Sequence, residues 1–85
     1  MSDETDPTTY ARRSGDYVYN VRCYRATLPE KHARFCALAV NLSRLQRDEW
    51  VPVHQRFPAE YGETRADAVG AMSKAIDEWV RTRPD

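Results

Sequence analysis

The sequence predicts a small α+β fold, a three-stranded antiparallel meander sheet packed on one C-terminal helix as a two-layer sandwich. Three observations carry this expectation. The chain has 85 residues, enough for one small domain and too few for a Rossmann or barrel cofactor fold. Three short segments alternate apolar and polar residues between turns rich in proline and charge. A last segment repeats apolar residues at three- and four-residue steps.

Residues 1–15 are Ser, Thr, Asp, Pro and Gly with scattered charge, and they lack hydrophobic periodicity. They read as a disordered N-terminal tail, leaving a β-β-β-α domain over 16–83. The first strand is expected over 17–25, rich in β-branched and aromatic residues, with Tyr19, Val21 and Cys23 on one face. A turn at Pro29-Glu30 follows. The second strand is expected over 34–44, with Cys36, Leu38, Val40 and Leu42 toward the core and Phe35, Ala37, Ala39 and Asn41 opposite. A turn at Gln46-Arg47 leads to a third strand over 49–57, with Val51, Val53 and Phe57 inward. Pro52 lacks a backbone donor and marks that strand as an edge.

Opposed residues of an antiparallel pair share a face, so these sets imply a register. Cys23 is expected opposite Cys36, and Leu42 opposite Val51, which keeps every apolar set on one side. The helix is the clearest element. Thr64 is placed to cap it, Asp67 sits at its third position, and Val69, Met72, Ile76 and Trp79 form its apolar stripe. Gly70 weakens its interior by about 0.5–1 kcal/mol relative to Ala. The expected core joins this stripe to Tyr19, Val21, Cys23, Cys36, Leu38, Val40, Leu42, Val51, Val53 and Phe57.

Thirteen Lys and Arg balance thirteen Asp and Glu. The zero net charge is a sum of unlike regions: residues 1–9 carry −3, residues 10–56 carry +5 and residues 57–85 carry −2. The sheet half is therefore basic and the remainder acidic. No stretch reaches the roughly 20 apolar residues of a membrane span, and the acidic start does not resemble a secretory signal. A cytoplasmic location is expected, with Cys23 and Cys36 as free thiols.

No catalytic constellation is visible. His32 and His54 lack Cys, His or Asp partners at metal-ligand spacing, the serines lack a nucleophile motif, and the three glycines are too scattered to cradle a phosphate. The expectation is no enzyme, no metal and no cofactor. One helix can cover only one side of the sheet. The other side is expected to show Arg22, Tyr24, Phe35, Trp50, His54 and Arg56, and these are the candidate binding residues. Tyr, Trp, Phe and Arg are the usual anchors of protein interfaces. Aromatics with Arg also suit base stacking and phosphate pairing. The expected partner is a second copy or another protein, with weak nucleic-acid binding through Arg22, Tyr24, Trp50 and Arg56 as the alternative.

The stretches Tyr17-Val18-Tyr19-Asn20-Val21, Arg34-Phe35-Cys36-Ala37, Thr64-Arg65-Ala66-Asp67-Ala68 and Ile76-Asp77-Glu78-Trp79-Val80 follow one another with Phe57 before the helix junction. In this layout the chain resembles short uncharacterised bacterial proteins of β-β-β-α build over residues 17–82. The resemblance implies the fold and no catalytic residues. At the level of fold alone the order also looks like integrase-arm and plant-type sheet DNA-binding domains.

Overall fold

A computed structural model describes residues 8–26 and 34–83. The elements are β1 (Thr8–Ser14), β2 (Tyr17–Arg25), β3 (Phe35–Gln46), β4 (Glu49–Pro52), β5 (Glu60–Gly62) and α1 (Arg65–Arg81). They form an antiparallel sheet in the order β1-β2-β3-β4, with β5 also on β3, against one C-terminal helix. The two-layer α+β architecture is as expected, with more strands.

The added first strand corrects the disordered tail over residues 8–14; residues 1–7 and the turn at Pro29-Glu30 lie outside the described residues. β1 escapes a hydrophobicity reading because it is an exposed edge strand in which only Tyr10 packs on the core. Its backbone pairs with β2 through a two-residue turn, where Gly15 takes φ 60°. A positive φ at the first central position is what a II′ hairpin turn requires.

β4 and β5 run in the same direction and pair with opposite ends of β3. Residues 49–62 are thus one extended course interrupted at 53–59. The expected third strand ends at Pro52, and only the bond from the Val53 amide to the Leu42 carbonyl, 2.9 Å, continues the pairing. Phe57 ties the excursion to the helix edge-on against Trp79, centroids 5.5 Å apart. Trp79 also meets Tyr17 edge-on at 5.3 Å. The β3–β4 turn falls on Arg47-Asp48, one residue later than expected. Both residues have positive φ, as a I′ turn demands.

The pairing of β2 with β3 holds the main correction. Cys23 opposes Ala37 and Tyr24 opposes Cys36, one residue away from the expected register. The register then shifts between Val18 and Asn20, because β3 supplies an extra residue there. Asn41 occupies the bulge with φ 57°, a left-handed conformation that Asn tolerates better than most residues. Each side of the bulge has its own parity. Leu42 faces the helix as expected, and Arg44 shares its side. Before the bulge the odd residues Phe35, Ala37 and Ala39 face the helix, and Cys36, Leu38 and Val40 face away.

The small residues explain the choice. Ala37 and Ala68 are fully buried, and Ala39 packs beside them. They let α1 settle close to the sheet, where Leu38 and Val40 would prop it off. At Gly62 the approach is too tight for a side chain, since a Cβ there would lie 2.5 Å from the Ala68 amide nitrogen. The core comprises Tyr17, Tyr19, Val21, Cys23, Ala37, Leu42, Ala68, Val69, Met72 and Ile76, with Tyr10, Phe35, Val53, Phe57, Trp79 and Val80 at its margin. Val51, expected inside, is exposed because α1 packs on β1, β2, β3 and β5 and leaves the β4 hairpin beyond its reach.

The helix follows its caps. The Thr64 hydroxyl accepts from the Asp67 amide at 3.0 Å, and the Thr82 hydroxyl donates to the Trp79 carbonyl at 2.7 Å. Two glycines then give opposite predictions. Gly62→Ala lowers unfolding stability by about 1–3 kcal/mol through overpacking. Gly70→Ala projects into open space and raises it by about 0.5–1 kcal/mol. Urea titrations of both variants measure the two signs directly.

Candidate interaction surface on the open sheet face

Tyr17, Tyr19, Val21 and Cys23 point into the helix-side core, so Val18, Asn20, Arg22 and Tyr24 point outward. The pairings extend this face across the sheet. One row runs Thr9, Arg22, Leu38 and the next Ala11, Asn20, Val40. Beyond the bulge the rows are Arg13, Val18, Ser43, Pro52 and then Leu45 with Trp50. At the other end Tyr24, Cys36 and Tyr61 stand side by side. On this face β3 carries a line of half-buried apolar side chains, Leu38, Val40 and Leu45, interrupted by Ser43. No helix of the described residues covers it. Trp50, 48% exposed, and Pro52 flank it on β4.

The candidate residues separate on this frame. Arg22, Tyr24 and Trp50 share the open face. Phe35 does not; it lies on the helix side beneath the Arg65 guanidinium, 4.9 Å from the ring centroid. His54 and Arg56 are exposed on the 53–59 excursion, where strand alternation does not apply. They line a hollow of about 340 Å³ against β3 from Ala39 to Leu42. The residues lining that hollow include no carboxylate. Sequence reasoning missed Leu38, Val40 and Leu45 as surface residues. The only available signal was Asn41 itself, a turn-forming residue inside a strand-like run.

A wider cleft of about 730 Å³ lies at the start of α1, lined by Arg25, Arg34 and Arg65 with Glu63. Arg65 is committed to Phe35, and its Nε is buried without a hydrogen-bond partner. Arg44 stacks likewise on Tyr17 at 5.4 Å. Guanidinium planes desolvated on rings keep their charge while giving up water. Arg44, from the basic half of the sequence, and Arg65, from the acidic remainder, are both engaged in holding aromatic rings. Among the described residues no group of three metal-ligating side chains occurs.

The thiols lie on opposite faces. Cys23 is fully buried under the helix, and Cys36 is covered on the outer face, beside Tyr24 and Tyr61. Burial raises the Cys23 thiol above its usual 9.0, with Arg65 pulling it down and Cys36 pushing it up. Tyr24 is raised first by its hydrogen bond with Cys36, then by burial. Tyr61 is raised first by the charge Cys36 would carry, then by burial. All three shifts favour the neutral forms of Cys23, Tyr24 and Tyr61.

No protein-family model matches the chain, and no curated protein or solved structure is significantly similar to it. No described helix is long and apolar enough to cross a membrane.

The raised thiol fixes the sign of a pH effect. Above about pH 9 the unfolded chain releases the Cys23 proton while the folded chain keeps it, so the unfolded state binds fewer protons and stability falls as pH rises. The urea midpoint should hold steady from pH 7 and then decline through this range. Cys23→Ala should flatten the decline, whatever it does to the midpoint itself.

Proposed function

We propose that the protein is a non-enzymatic binding module that docks a protein partner on its open sheet face. One observation carries this reading: the bulge at Asn41 turns Leu38 and Val40 outward, in line with Leu45 and beside Trp50. Half-buried aliphatic side chains beside an exposed Trp50 on a face that no described helix covers support an interaction site. Arg22 and Tyr24 border the line as polar rim, a usual interface arrangement.

The same observation weakens the nucleic-acid alternative. A strand-binding sheet needs stacking rings and several cations along one track. Here Tyr24 and Trp50 lie at opposite ends of the face, with aliphatic side chains between them. Arg56 is off the sheet, and Arg13 and Arg22 are the cations at strand positions of the described face. A hydrophobic line gives phosphate nothing to pair with. A cytoplasmic setting belongs to the proposal because it keeps both unpaired thiols reduced.

A photo-crosslinking amino acid at position 38, in cells expressing the chain, should give a discrete adduct that Val40→Lys abolishes. The same group at Asp77, on the exposed helix surface, should give none. Loss of the adduct from position 38, or single-stranded DNA binding at low salt that Arg22→Ala removes, would overturn the reading.

A further inference from the structure

We infer that the cleft at the start of α1 binds a small molecule through a phosphate monoester group. The site lies on the helix side of the sheet, away from the proposed docking face, and does not depend on that face having a partner.

The carrying observation is the convergence of three arginines from three places in the chain. Arg25 ends β2, Arg34 precedes β3 and Arg65 opens α1, and all of them line one cleft of about 730 Å³. Arg25 and Phe35 are cross-strand partners, and Gly62 continues their row. The Arg65 guanidinium stacks on the same Phe35 ring, 4.9 Å from its centroid. Arg34 is held through its backbone: its carbonyl accepts from the Ala26 amide at 2.8 Å, and its amide donates to the Gly62 carbonyl at 3.1 Å. The cations are thus seated on paired backbone and on a ring. Donors fixed in this way cost a ligand less ordering.

Stacking occupies the flat face of a guanidinium and leaves its in-plane donors to an anion. The Arg65 Nε is buried and has no hydrogen-bond partner among the described residues. A small shift of this guanidinium toward an anion in the cleft satisfies that donor.

Charge selects the class of anion. Among the lining residues, the guanidiniums of Arg25, Arg34 and Arg65 face one carboxylate, that of Glu63. Like charges gathered at one hollow repel, and a ligand of about two negative charges offsets the excess. A phosphate monoester carries about −1.5 to −2 at neutral pH, and its oxygens suit forked guanidinium donors. A monocarboxylate brings too little charge. Thr64 and Ala66 line the same cleft, where the first amides of the helix have no acceptor within it. They add N–H donors to a site that the arginines define. The volume falls in the range of about 300–1,000 Å³ usual for small-molecule sites. Ala26, Ala66 and Phe35 supply apolar lining for the organic remainder.

An amide NMR titration of the full chain with phenyl phosphate, at low salt and neutral pH, tests the site. Saturable shifts are expected at the amides of Arg65 and Ala66 and at the Arg65 Nε. Arg34→Gln should raise the dissociation constant at least about tenfold, through the loss of a charge-assisted bond. Arg34 is exposed and outside the core, so this variant keeps the fold. Arg65→Gln should have the same effect, whereas Arg81→Gln, at the far end of α1, should leave the constant unchanged. Glu63→Gln should lower it by removing the opposing charge. A titration that does not saturate overturns the site. So does an Arg34→Gln variant that binds as the wild type does, since the anion then lies elsewhere. Acetate binding as tightly as phenyl phosphate overturns the choice of a phosphate. Inorganic phosphate binding as tightly leaves the apolar lining without a role and overturns the organic remainder.

Discussion

The structure turns on one inserted residue. Asn41 adopts a left-handed backbone and puts two residues of β3 opposite one of β2. A strand shows alternate side chains to alternate faces, so one extra residue exchanges the faces beyond it. Without the bulge β3 would have to choose. Either Leu42 enters the core with Leu38 and Val40 and lifts the helix, or Ala37 and Ala39 enter it and Leu42 leaves. The bulge gives the small residues to the close-packed end of the helix and Leu42 to the open end.

That division shapes both layers. At the start of α1 the approach is limited by Gly62 beneath Ala68, with Ala37 fully buried nearby. At its far end Trp79 needs room, and Tyr17 and Phe57 supply two edge-on contacts. The helix is thus pinned close at one end and wedged by rings at the other. On the reverse side the same division leaves Leu38 and Val40 without a covering layer. Core packing and surface character are two consequences of a single backbone irregularity.

Much of this was legible in the sequence. The helix announced itself through Thr64, Asp67 and the Val69–Met72–Ile76–Trp79 stripe, because periodicity and capping chemistry agree there. β2 announced itself through alternation. What was hidden had physical reasons. β1 carries little apolar signal because backbone pairing with β2, rather than burial, holds it in place. The register of β3 was misread because alternation ranks residues by hydrophobicity, whereas the helix selected by size. Alternation therefore puts Phe35 on the open face and Leu38 in the core, each on the wrong side. Alternation likewise puts His54 and Arg56 on a strand face, but that strand ends at Pro52. Arg22, Tyr24 and Trp50 kept their places because they lie on strands whose parity the bulge does not disturb.

The central claim is that Asn41 exchanges the two faces of β3. Nuclear Overhauser contacts from the β3 methyl groups test it most directly. The account predicts contacts from Ala37 and Ala39 to side chains of the helix-side core, such as Met72 and Ile76, and none from Leu38 or Val40 to those residues. Contacts from Leu38 and Val40 to Met72 and Ile76 would contradict it.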